Sequence, residues 1–137
     1  MAAENILVTG MSGLIGGITR ERLEGRANLR ALNRSDVAGI ETYRADLADY
    51  DAIRPAFDGQ DTVVHLAAKA GERYSWEELC DTNIIGTRNV YEAAKDAGCR
   101  RVIFASSGAT VSGWENEEPY GALTDGRYQD VPDDWPM

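Results

Sequence analysis

A chain of 137 residues, 43% of them hydrophobic, is long enough for one domain with a buried core, and its composition gives no reason for a second. Twenty-three acidic residues against 14 basic ones leave a formal charge of -9, which argues against nonspecific nucleic-acid binding or attachment to an anionic membrane. Two distant cysteines, Cys80 and Cys99, and a single histidine, His65, argue against a disulfide framework or a metal cluster. With no run of membrane-spanning length and no basic, apolar leader at the N-terminus, a cytoplasmic location is expected.

The first predicted element is a buried strand, Asn5-Ile6-Leu7-Val8-Thr9, followed by Gly10-Met11-Ser12-Gly13-Leu14-Ile15-Gly16. Three glycines at a spacing of three, between an apolar run and a helical pattern, read as a strand, a tight turn and a helix N-terminus shaped for a dinucleotide phosphate. Gly10 permits the turn, Gly13 admits a pyrophosphate close to the backbone, and Gly16 lets the helix pack closely. The unpaired amides at the helix start attract the phosphates. The first helix is expected over residues 14 to 24, with Leu14, Ile18 and Leu23 toward a sheet and Gly25 as its stop.

Strand two, Leu29 to Asn33, ends in Asn33-Arg34 rather than in the carboxylate that selects NAD by holding ribose hydroxyls. An arginine there suits a ribose phosphate, so NADP is a candidate beside NAD; a solvated arginine is the plainer alternative, and Asp36 stands near enough to supply an acid. A third strand over residues 40 to 45 leads into Asp46-Leu47-Ala48-Asp49, with Asp49 as a helix N-cap and Ile53 and Phe57 on one face. Asp46 and Leu47 border an adenine pocket or serve only in capping and packing.

The fourth strand, Thr62 to Ala68, finishes in small residues that leave room for a cofactor near the backbone. His65 reads as a packed, hydrogen-bonded strand histidine rather than a catalytic base. Lys69 to Ser75 is a polar loop bordering the substrate or nicotinamide. A long helix from about Trp76 to Ala97 presents Leu79, Asn83, Gly86, Val90, Ala93 and Ala97 on one face, where the Asn83 amide requires partners and organises backbone around the site. After the break at Gly98, strand five runs from Arg101 to Ala105 and ends in Ser106-Ser107-Gly108-Ala109-Thr110.

Strand and helix alternation predicts an α/β domain of Rossmann type over residues 1 to 113, a parallel sheet in the order 3-2-1-4-5 with helices on both faces. The nucleotide is expected across the C-terminal edges of strands 1 and 4. Residues 114 to 137, rich in Glu, Asp, Gly and Pro, read as an acidic loop or tail.

Gly10 to Gly16, Asp46 to Asp49, His65 to Ala68, Asn83-Ile84-Ile85-Gly86-Thr87 and Phe104-Ala105-Ser106-Ser107 together resemble the extended short-chain dehydrogenase/reductase family, in particular its NAD-dependent epimerase/dehydratase and uronate-dehydrogenase-like members. The resemblance implies a bound NAD or NADP, redox chemistry on a sugar-derived small molecule, and a cytoplasmic, commonly dimeric enzyme. It implies cofactor contacts from Gly10, Ser12, Gly13, Leu14, Ile15 and Gly16 in the turn, and from Asn33, Arg34, Asp46 and Leu47 beyond strands two and three. Leu66, Ala67, Ala68, Lys69 and Asn83 complete that set. Ser107 falls on the family's catalytic serine when counted from the strand end, whereas counting back from Thr110-Val111-Ser112-Gly113 puts Gly108 there; the strand-based register is preferred.

Family members also carry a later tyrosine with a lysine four residues on, the base and its activating partner. Here Tyr120 is followed at that spacing by Thr124 and Tyr128 by Pro132, and no lysine occurs after Lys95. The chain is therefore expected to be the NAD(P)-binding portion of a sugar or sugar-nucleotide epimerase, dehydratase or dehydrogenase, truncated, catalytically incomplete alone and inclined to self-associate. A noncatalytic dinucleotide-binding module with a regulatory or partner-binding role is the alternative.

Overall fold

The structure, a computed structural model, describes residues 3–71 and 73–110. It divides after Ala105 into two compact units. The first unit holds β1 (Glu4–Thr9), α1 (Leu14–Leu23), β2 (Ala27–Asn33), β3 (Glu41–Arg44), α2 (Tyr50–Ile53) with a 3-10 turn Arg54–Phe57, β4 (Thr62–His65), α3 (Trp76–Leu79), α4 (Gly86–Asp96) and β5 (Arg101–Phe104). Of the second, Gly108–Thr110 form a single 3-10 turn.

All five strands are parallel and stand in the expected order, β3-β2-β1-β4-β5. β1 is central, with Leu7 paired to Arg30 on one side and to Val63 on the other. A central parallel strand is covered on both faces, which is why Ile6 to Thr9 read as an unbroken apolar run ending in threonine. Leu7 and Val63 point into a core closed by Ile53, Phe57, Val90, Ala93 and Ala94. Ile6, Val8, Ala31 and Val64 point to the other face, where Met11 and Leu23 cover them. Phe57 and Leu7 are fully buried, and each contributes about 1.5–3 kcal/mol by leaving water.

Asp49 caps α2 as its sequence position predicts, its Oδ1 accepting from Ala52 N at 3.1 Å, and Ile53 and Phe57 are both buried. Two expectations change. α1 does not turn Leu14 and Ile18 to the sheet: they are 82% and 48% exposed, while Gly16 is the buried residue of the helix and Leu23 packs on the core. At about 100° per residue, positions 14 and 18 lie opposite position 16, whereas position 23 returns to its side. The helix expected across residues 76 to 97 is also not uniform. A π-helical turn, Cys80–Ile85, separates α3 from α4, and the wider turn carries Asn83.

Candidate functional site

Gly10 follows β1 with φ +72°, and an added Cβ there would lie 2.8 Å from the backbone N and Cα of Ala67, just beyond β4. Two β-strand exits thus meet at a distance only glycine tolerates. Gly10 O accepts from Gly13 N at 3.0 Å and closes the turn. Gly16 packs α1 onto this turn rather than onto the strand: a Cβ there would collide with Gly10 O and stand 2.5 Å from Met11 Cα. Gly13, the N-cap of α1, is under less pressure from the protein itself, since a Cβ would meet only Gly10 O, at 3.3 Å. No side chain caps α1 and its first turn holds no acid, so the helix start offers backbone amides and a positive dipole end to an anion.

Beside this turn, past the C-terminal ends of the strands, lies a cavity of about 130 Å³ lined by Ser12, Asn33, Arg34, Ala45, Asp46, Leu47, Ala67, Ala68, Lys69 and Thr82. Asn33, 7% exposed at the end of β2, donates from Nδ2 to Ser12 Oγ at 2.8 Å and ties that strand to the glycine turn. Arg34 lines the cavity. Asp36, the acid available nearby, pairs instead with Arg44 at 3.7 Å on the surface. The Asp46 carboxylate accepts from Ala48 N at 2.9 Å, so it braces its own loop, and Leu47 is shared between the cavity and the core.

The loop after β4 is pinned from the π-helical turn. Asn83 accepts from Lys69 N and donates to Lys69 O, both at 2.8 Å, which satisfies the amide the sequence marked as needing partners. Lys69 Nζ is 3.0 Å from Glu78 Oε1 and sits 5.2 Å from the centre of the Tyr74 ring. Glu78 also closes a capping box with Ser75, and the Ser75 amide followed by Lys69 holds its carboxyl below the usual range.

His65, fully buried, sits at the end of β4 between Thr9 Oγ1, 2.7 Å from Nδ1, and Thr87 Oγ1, 3.0 Å from Nε2. The Phe104 ring stacks 5.4 Å away. Burial lowers its pKa from 6.5 to about 4, so the ring is neutral at physiological pH, in keeping with a packed histidine.

Eight of the expected cofactor contacts, Ser12, Asn33, Arg34, Asp46, Leu47, Ala67, Ala68 and Lys69, converge on the cavity. The others stand apart from its lining. Gly10, Gly13 and Gly16 build the turn, Leu14 and Ile15 expose their side chains, Leu66 packs on the core face holding Val8, and Asn83 acts through Lys69. Ala45 and Thr82 were missed; each directly precedes a residue singled out, and neither carries a group that marks it in sequence. Ser107 lies in the second unit, where its Oγ accepts from Ala109 N at 3.2 Å.

Tyr120, Thr124, Tyr128, Pro132 and the acidic tail lie outside the described residues. The single Tyr-x-x-x-Lys in the sequence is Tyr91 to Lys95 on α4, which the sequence reading passed over. Tyr91 packs edge-on against Phe104 and Lys95 pairs with Glu92 at 3.6 Å, and neither lines the cavity. Among the described residues no cluster of His, Cys, Asp and Glu could hold a metal, and no helix is long and apolar enough to cross a membrane.

Residues 6–131 match the model of the NAD dependent epimerase/dehydratase family. The chain is 39% identical over 102 residues to an L-arabinose 1-dehydrogenase (NAD(P)(+)) of Haloferax volcanii, covering 74% of this chain and 40% of that protein. It is 36% identical over 121 residues to a uronate dehydrogenase of Pseudomonas putida, covering 82% of this chain and 44% of the relative. A crystal structure of a mutant uronate dehydrogenase from Agrobacterium tumefaciens complexed with NAD superposes with a TM-score of 0.70 at 41% identity, covering 77% of this chain and 42% of that one. The chain thus spans less than half the length of each.

Proposed function

The chain belongs to the NAD dependent epimerase/dehydratase family, and we propose that it is the NAD(P)-binding portion of an enzyme acting on a sugar or sugar nucleotide. The observation that carries this reading is that eight expected contacts line one cavity past the C-terminal ends of the strands, with Ser12 contributed by the glycine turn that precedes the uncapped start of α1. The glycine cradle and the amides of α1 suit a pyrophosphate, and the mixed lining of Leu47, Ala67 and Asp46 suits an adenosine. NAD(P), when bound, supplies a nicotinamide that takes up or returns a hydride. In this assignment Ser107 hydrogen-bonds the substrate oxygen and orients it.

Arg34, with no carboxylate at the end of β2 and Asp36 engaged by Arg44, favours NADP by charge, whereas likeness to a uronate dehydrogenase complexed with NAD favours NAD. The Haloferax relative, named for NAD(P)(+), supports use of both. Calorimetric titration with each dinucleotide tests the reading: saturable binding of at least one is expected, and binding of neither would remove it. Because neither Tyr91 nor Lys95 lines the cavity, a dinucleotide-binding module without turnover is the second reading; assays with uronates and aldoses in the presence of NAD and NADP separate the two. We assign the chain to a homo-oligomer in the cytoplasm on family resemblance, and light scattering of the purified chain checks the assembly.

A further inference from the structure

Thr9, His65 and Thr87 form a hydrogen-bonded line whose direction the surrounding donors decide. Thr9 Oγ1 accepts from Ala67 N at 3.1 Å and from Leu66 N at 3.2 Å, the Leu66 proton being shared with Thr9 O at 3.3 Å. Two accepted bonds fill the lone pairs of a hydroxyl oxygen and leave its single proton for the third neighbour, His65 Nδ1 at 2.7 Å. Nδ1 must then accept, the ring proton of the neutral imidazole sits on Nε2, and Thr87 Oγ1 at 3.0 Å receives it.

At the far end of the line, Ala67 N and Cα are the atoms that confront Gly10 at the dinucleotide turn. α4, which carries Thr87, is thereby connected to the position of the Ala67 amide, and through it to the space left for Gly10. We propose that His65, held as the single Nε2–H tautomer, is a positioning residue that sets the glycine turn for its ligand through Thr9 and the Leu66–Ala67 amides. The role in ligand binding rests on the dinucleotide reading above; the tautomer and the connection to Gly10 do not.

The experiment uses the isotopically labelled whole chain. Long-range imidazole ¹H–¹⁵N spectra are expected to show a protonated Nε2 and an unprotonated Nδ1 for His65, while the opposite tautomer or an exchange average overturns the assignment. Thr87→Val, nearly the same shape, removes the acceptor for Nε2–H. Its expected signature is a displaced amide resonance at Ala67 and Gly10 and roughly threefold or weaker affinity for the dinucleotide that the unaltered chain binds, with Thr87→Ser restoring both. A folded Thr87→Val chain with unshifted Gly10 and Ala67 amides overturns the proposal. So does unchanged dinucleotide affinity. If the unaltered chain binds neither NAD nor NADP, the functional reading and the ligand role fall together, whereas the tautomer and the Gly10 shifts still decide the connection. Should Thr87→Val not fold, Thr9→Ser is measured instead: the hydroxyl persists, so the tautomer and amide resonances are expected to persist, and their loss overturns the proposal.

Discussion

Thr9 and His65, 56 residues apart in the chain, share a 2.7 Å hydrogen bond between Oγ1 and Nδ1 where β1 and β4 run side by side. Their backbones are also paired in the parallel ladder. The bond therefore fastens together the two strand ends from which the candidate site opens.

Acid should destabilise the fold through His65. Its pKa falls from 6.5 to about 4 on burial among neutral partners, Thr9, Thr87 and Phe104. Between those values the unfolded chain binds a proton that the folded chain does not, so stability rises with pH across the window. The contribution is complete above pH 6.5 and is lost as pH falls to about 4, amounting to about 3 kcal/mol. Urea unfolding at stepped pH values should show a steeper decline for the unaltered chain than for His65→Asn. Parallel curves would contradict the burial argument.

Gly10→Ala and Gly13→Ala should separate. At Gly10 a methyl group meets Ala67 backbone at 2.8 Å and the φ of +72° disfavours any side chain, so destabilisation by about 1–3 kcal/mol and loss of dinucleotide binding are expected. At Gly13 the nearest atom is Gly10 O at 3.3 Å, a tight contact but a looser one than at Gly10 and without a positive φ, so the fold should lose less stability than with Gly10→Ala while dinucleotide affinity drops. Thermal melts beside calorimetry distinguish the two. A Gly13→Ala chain that binds as tightly as the unaltered one would show that no ligand approaches there.

Asn83→Leu leaves the Lys69 N–H and C=O without their partner at the cavity wall. Loss of these two bonds should cost about 1–3 kcal/mol. Amide exchange of Lys69 and its neighbours should quicken, which hydrogen-exchange measurement reads directly. Unchanged protection at Lys69 would mean that the π-helical turn does not brace this loop.

Arg34→Ala tests cofactor choice. If Arg34 pairs with a ribose phosphate, the substitution weakens NADP by roughly ten- to a hundredfold and NAD far less, in line with about 1.5–3 kcal/mol for a charge-assisted bond. The NADP preference of the unaltered chain should also shrink as salt is raised. Equal losses for both dinucleotides would assign Arg34 to general electrostatics.

The five strands and the Asp49 cap were legible from local chemistry, apolar runs for strands covered on both faces and a side-chain acceptor at a helix start, and the sheet order from the rules for parallel connections; strand four, expected to run to Ala68, ends at His65. Leu14 and Ile18 were misplaced because hydrophobicity was counted without fixing the helix rotation, which the contact of Gly16 with Met11 determines. The break between α3 and α4 escaped because Leu79, Asn83, Gly86 and Val90 keep a three-or-four-residue spacing across the π-helical turn. Ala45 and Thr82 were invisible because a wall residue with no special chemistry is chosen only by where the chain passes.

By itself the sequence determined a parallel α/β sheet, a glycine turn after its first strand and a family resemblance, since these depend on residue type at short, regular spacing. Tertiary structure alone decided that Asp36 pairs with Arg44, that Lys69 is held by Glu78 and Asn83, and that His65 stands between the hydroxyls of Thr9 and Thr87. Ion pairs and tautomers are fixed by the geometry of donors and acceptors brought together from distant parts of the chain, and no local pattern encodes that geometry.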